Sequence, residues 1–176
     1  YKITDTIGCA VAGITSDANT LIAHARVSAQ QHLYSYQEDM PLDQLVHNIS
    51  DLKHGYTQYG GLRPFGVSIL YAGYDKHNKN FQLYHSDPSG NYASWREVGV
   101  TTKTIDSNGY SIGAENQKIA NALKSGYKED LPLEEAKKLA LKMLAKAMDA
   151  TSMTGEKVEV STLSFNSKNK LEWKTY

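Results

Sequence analysis

Six histidines, one cysteine and a Ser-Asp-Pro-Ser stretch are the groups in this chain whose types could support chemistry. His24, His32, His47, His54, His77 and His85 contain no His-Glu-x-x-His arrangement, the spacing that sets two imidazoles and a general base on one helix face. His47 and His54 stand two helical turns apart and could share a face. Two nitrogen donors still fall short of the three or four ligands of a zinc site, so no metal is expected and surface histidines are the simpler reading. Ser86, Asp87 and Ser89 offer a hydroxyl and an orienting carboxylate, but no Gly-x-Ser-x-Gly elbow frames them. Asp87-Pro88-Ser89-Gly90 reads instead as a turn, with Pro and Gly suitably placed and side-chain oxygens available to its backbone. Gly60-Gly61 lacks the following Lys-Ser or Lys-Thr of a phosphate-binding loop, and no other cofactor motif is present. Cys9 stands alone, which rules out an internal disulfide and suits a reducing compartment.

Composition narrows the partners. Nineteen basic and nineteen acidic residues cancel, so no global field draws in nucleic acid or an anionic membrane. No apolar run approaches the roughly 20 residues that span a bilayer. At 176 residues the chain has one domain's worth of length, enough for a real core. No repeat or low-complexity linker divides it, so residues 1–176 are read as one domain. Twelve tyrosines against three phenylalanines fit either interface surfaces or strand faces.

The elements that would position these residues follow from periodicity. Ile7 to Ile14 is small and apolar and reads as a strand buried on both faces. Ser16 and Asp17 supply capping oxygens for a helix running to about Tyr36, with Ala18, Ile22, Ala25, Ala29, Leu33 and Tyr36 as its apolar stripe. Pro41 is well placed to start a second helix, striped by Leu42, Leu45, Val46, Ile49, Leu52 and Tyr56. Gly66 to Asp75 and Asn80 to Ser86 read as a hairpin, and a further strand covers Asn91 to Val100. Helices are expected from Ala114 to Tyr127 and from Pro132 to Ala150. The last should bury Ala136, Leu139, Ala140, Met143, Leu144 and Ala147. Its other face carries Glu134, Glu135, Lys138, Lys142 and Lys146, mixed charges that suit water or an interface better than nucleic acid. Val158 to Phe165 and Leu171 to Tyr176 close the chain as a hairpin. Two helix pairs, each needing an apolar surface, predict helices outside and sheets within.

Between the second helix and the first hairpin lies Tyr56-Thr57-Gln58-Tyr59-Gly60-Gly61-Leu62-Arg63-Pro64-Phe65-Gly66-Val67-Ser68. The glycines permit backbone angles closed to residues with a Cβ, and Arg63 before Pro64 is pushed toward extended geometry. This string resembles the corresponding segment of proteasome alpha-type subunits. Similar likenesses are Val11 to Asn19, Tyr71-Ala72-Gly73-Tyr74-Asp75, Gln82-Leu83-Tyr84, Ser86 to Tyr92, Tyr127 to Asp130 and Glu156 to Glu159. Tyr56, Arg63, Pro64, Phe65, Gly66, Asp87, Pro88 and Gly90 are the structural positions of those motifs.

The resemblance implies an α+β fold, the four-layer αββα sandwich of the N-terminal nucleophile hydrolase class. It also implies that this is an internal portion of a longer subunit, lacking the first strands and gate helix and a terminal helix. The lysine that receives regulator tails would fall two residues before Tyr1. It implies a non-catalytic member of a heptameric alpha ring, since in this family beta-type subunits hold the catalytic threonines. Tyr59, Gly60, Gly61 and Leu62 would line the port through which unfolded substrates enter. The implied partners are neighbouring alpha subunits, beta-ring subunits, docking regulators and polypeptides in transit, in cytoplasm and nucleus. Two other readings are an active hydrolase of the same fold and a stand-alone binding domain. The chain departs from the family between Trp95 and Gln117, where it carries about a dozen extra residues for a connection of this kind. Thr101 to Ile112 looks like a β-ribbon turning at Asn108-Gly109. It is either a neutral loop or an added contact to a neighbour.

Overall fold

The computed structural model describes residues 1–94, 109–114, 116–126, 131–147, 156 and 158–176. Strand β1 is Ile7–Gly13, followed by helices α1 (Thr15–Tyr36) and α2 (Leu42–Gln58). Strands β2 (Val67–Asp75), β3 (Asn80–Ser86) and β4 (Tyr92–Ser94) come next, then α3 (Asn116–Gly126) and α4 (Leu133–Ala147). Strands β5 (Ser161–Phe165) and β6 (Leu171–Thr175) end the described chain. The strand expected over Asn91 to Val100 is seen at Tyr92–Ser94, and residues 95–100 lie outside the described residues. So does most of the expected ribbon, residues 101–108.

Sheet register decides which side chains face which layer. The order is β1-β2-β3-β4, antiparallel throughout, with Cys9 opposite Tyr71 and Tyr71 opposite Tyr84. Alternation then turns Ile7, Cys9, Val67, Ile69 and Tyr71 to one side, where they are buried against α1 and α2. From α1 that core receives Ala18, Leu21, Ile22, Ala25 and Ala29, and from α2 it receives Leu42, Leu45, Val46 and Ile49.

The opposite face meets the β5–β6 hairpin. Gly8 lies directly beneath the Trp173 indole, so close that a Cβ there would sit 2.0 Å from the ring. Phe165 packs edge-on against Tyr74, with ring centroids 4.9 Å apart, and also touches Phe81. Beyond the hairpin, Lys137 of α4 sits 4.6 Å from the Tyr176 ring centroid, and α3 packs on α4. Helices, sheet, sheet, helices is the layering expected from the sequence.

Four local expectations fail. β1 is not buried on both faces: Ile7, Gly8 and Cys9 are buried, but Ala10 and Gly13 are exposed and Ile14 is exposed beyond the strand's end. Ser16 and Asp17 do not cap α1: Ile14 is its N-cap residue and no side chain bonds there. The Asp17 carboxylate is instead committed to a distant arginine. Leu33 and Tyr36 are exposed because α1, 22 residues long and so about 33 Å, overhangs β1, seven residues or about 23 Å. On α4, Met143 is buried while Ala140 and Leu144 are exposed. At about 100° per residue, Ala136, Leu139 and Ala147 fall within about 40° of Met143, whereas Ala140 and Leu144 lie about 60° and 100° away.

Candidate functional site

Helix α2 ends at Gln58, and the chain leaves through Tyr59, whose amide still donates to the Gly55 carbonyl at 3.2 Å. Tyr59 and Leu62 are exposed, and neither Gly60 nor Gly61 has any atom within 4 Å of where a Cβ would stand. Gly61 holds φ +82, in the left-handed region open to glycine at little cost. The four residues therefore form a bare projecting loop.

Its two ends are held. Before the loop, the Tyr56 ring packs against Phe65 beyond it, centroids 4.5 Å apart and planes tilted by 40°, with Phe65 in the core. After the loop, Arg63 forks onto Asp17 with Nη1–Oδ2 at 2.7 Å and Nη2–Oδ1 at 2.8 Å. The same Oδ2 accepts the Gly66 amide at 3.0 Å, and Arg63 also donates to the Pro64 carbonyl. Bidentate charge-assisted bonding of this kind fixes orientation as well as distance. The Arg63 bonds, reinforced by the Gly66 amide, hold the Asp17 carboxyl down at about 2. Gly66 in turn accepts the Ile14 amide through its carbonyl at 2.9 Å, so the loop's exit is tied to the start of α1.

The second motif cluster lies against the same helix. Asp87 Oδ1 accepts the Ser89 amide, the Ser89 hydroxyl and the Asn91 amide, and the Gly90 amide returns to the Asp87 carbonyl. Asp87, Ser89 and Gly90 thus make the self-bonded turn anticipated from their types, with Pro88 inside it. Gly90, at φ +86, presses onto α2 so tightly that a Cβ would stand 2.6 Å from the Ser50 carbonyl and 2.7 Å from the His54 amide. His54 lies between the two clusters: Nδ1 meets the Ser89 carbonyl at 3.3 Å and Nε2 meets the Gln58 amide nitrogen at 2.8 Å. A carbonyl only accepts, which assigns the hydrogen to Nδ1. His47 faces elsewhere, bonded to Asp51 at 2.9 Å and edge-on to Tyr92.

Two buried polar residues were missed by the sequence reading. Lys53 is fully buried on α2 and donates to Ser86 Oγ at 2.9 Å, with the Ser86 carbonyl at 3.5 Å. Ser50, also buried, donates to the same hydroxyl at 3.4 Å. Burial pushes the Lys53 ammonium down to about 8, with Asp87 opposing the shift. The signal was present, since Lys53 continues the Leu42–Ile49 stripe one turn beyond Ile49. Ser86 is fully buried, out of reach of a substrate in this structure, and serves as the acceptor for the buried lysine. Cys9 is buried too, and burial pushes its thiol up to about 11, a weakly reactive state.

An αββα sandwich with a glycine loop at the end of its second helix defines a recognisable class. The proteasome subunit family matches residues 1–163, and the chain belongs to that family. Its α+β fold is accordingly that of the N-terminal nucleophile hydrolases. Within the family the chain is similar to alpha type-4 subunits. It is 52% identical over 176 residues to the one from Spinacia oleracea, covering all of this chain and 65% of that protein. It is 55% identical over 161 residues to alpha type-4-A of Arabidopsis thaliana (92% of this chain, 59% of that protein). The Dictyostelium discoideum alpha type-4 subunit is 55% identical over 162 residues, again 92% of this chain and 60% of that protein. The chain thus spans about 60% of the length of these relatives.

Proposed function

We propose that this chain is the body of a non-catalytic alpha-ring subunit of the core proteasome, with Tyr59–Leu62 as its share of the substrate port. Its partners are neighbouring alpha subunits, the beta ring and regulators docking on the outer face, in cytoplasm and nucleus. Polypeptides pass the loop unfolded and are cut elsewhere. The observation that carries this reading is a loop bare at its tip and fixed at both ends. Bare glycine backbone lets several subunits crowd an axis that larger side chains would block, while Leu62 offers an apolar lip. The Asp17–Arg63 fork and the Tyr56–Phe65 ring contact keep that lip from wandering.

The test is the assembled ring carrying the full-length protein. Leu62 is expected within side-chain distance of the axis, and a structure placing it at the outer wall refutes the port. A covalent probe for N-terminal threonine nucleophiles is expected to label beta-type subunits and leave this one unmarked. Labelling here would establish the hydrolase reading instead.

A further inference from the structure

We propose that Lys53 is a positioning residue for the port loop: its buried ammonium fastens the C-terminal half of α2 to the end of β3 and so sets where Tyr59–Leu62 stands. The idea rests on reading that loop as the port.

Lysine is almost never fully buried unless paired, and Lys53 has no carboxylate within bonding distance among the described residues. A stripe that already runs Leu42, Leu45, Val46, Ile49 would be continued best by an apolar side chain if filling space were all that mattered. Apolar packing is non-directional, however, and puts no directional bond at the helix's end. A charged donor on a fixed hydroxyl at 2.9 Å is oriented and short. Lys53 reaches Ser86, the last residue of β3, and Asp87 opens the turn that follows. That turn meets α2 again one step further on, through Gly90 over the Ser50 carbonyl and His54 amide and through Ser89 on the His54 ring. His54 then bonds Gln58, the last helical residue before Tyr59. Among the described residues the bonds to Ser86 lie wholly inside the protein, the charged one from Lys53 at 2.9 Å and a longer one from Ser50 at 3.4 Å, whereas the His54 bonds are exposed. Water cannot compete for the Lys53 bond, which makes it the anchor to which the outer bonds are registered.

The experiment uses the full-length protein with Lys53→Met, assembled with its partner subunits, and follows amide hydrogen exchange along α2. The Tyr59 amide is expected to exchange about tenfold faster, the loss typical of one oriented hydrogen bond, while the core amides of Val46 and Ile49 do not speed up. Ser86→Ala removes the hydroxyl that accepts at 2.9 Å, leaving only the carbonyl at 3.5 Å, and Ser50→Ala controls for the bond that Ser50 loses with it. Ser86→Ala is expected to reproduce the change, and it decides the matter should Lys53→Met fail to fold. Unchanged Tyr59 exchange overturns the proposal, as does acceleration spread equally along α2. Passage of an unfolded polypeptide is measured on the same assemblies. A loosened Tyr59 with unaltered passage leaves Lys53 in its role and refutes the port reading.

Discussion

A neutral side chain of similar length at Lys53 should make the protein more stable at neutral pH, and the gain should vanish in alkali. Burial lowers this ammonium from 10.5 to about 8, whereas in the unfolded chain it titrates near 10.4. Between those values the unfolded state binds the extra proton, so this group makes stability rise with pH from about 8 to about 10.5 and leaves it flat below. A gap of about 2.5 pH units corresponds to roughly 3 kcal/mol. Lys53→Met removes that penalty and forfeits the bond to Ser86, worth about 1 kcal/mol. The variant should therefore be more stable than the parent by roughly 2 kcal/mol at pH 7, in line with the gain often seen when a buried charge gives way to an apolar isostere. By pH 10.5 the parent should lead by about 1 kcal/mol. Burial also raises Cys9 and Tyr71, which works in the opposite direction, because acids with raised values lose stability as pH climbs. Those contributions are common to both proteins and cancel in the difference. Urea denaturation of the two full-length proteins at intervals from pH 7 to 10.5 reads that difference directly. A gap that stays constant across the range would show that the ammonium carries no burial penalty.

Gly8→Ala should cost about 1–3 kcal/mol by driving a methyl into the Trp173 indole, and Trp173→Leu should restore most of it. Strictly additive effects in a double-mutant cycle would deny the sheet-to-sheet contact. Gly60→Ala, in open space, should leave denaturation within about 0.5 kcal/mol of the parent. Gly61→Ala, forced to φ +82, should cost about 1–2 kcal/mol, and equal effects at the two sites would contradict the loop geometry. Arg63→Ala should raise the Asp17 carboxyl from about 2 toward the ordinary ~3.9 in a carboxyl-carbon NMR titration. The acid-side stability that Asp17 contributes above about pH 4, and loses toward pH 2, should shrink with it.

Local patterns in the chain revealed much of this fold. The Leu42–Ile49 stripe, the hairpin of β2 and β3 and the Asp87–Gly90 turn are each decided by residues within a few positions of one another. What stayed hidden depends on partners far along the chain. Asp17 reads as a helix-capping carboxylate until Arg63, 46 residues on, is brought alongside it. Lys53 falls on the stripe of α2, but its partner Ser86, 33 residues on, is not legible from that position. Gly8 carries no sign in its neighbourhood that an indole from the last strand will lie upon it.

These hidden contacts share a consequence. Asp17, Lys53 and Gly90 each fix α2 or the segment after it to a different neighbour: the start of α1, the end of β3, and the β3–β4 turn. A helix held by apolar packing alone has no directional bond fixing its end, and a shift there is opposed by packing only. Three directional or close-packed contacts on three neighbours add that fixing at the C-terminal end of α2. A glycine loop is the least rigid way to leave a helix, since glycine imposes almost no conformation of its own. Its tip can stand at a defined place only if the protein fixes both roots, and the fixing residues lie at the roots rather than in the loop. Substitutions at Lys53, Asp17 or Gly90 should therefore disturb loop position more than changes at the loop's own Tyr59.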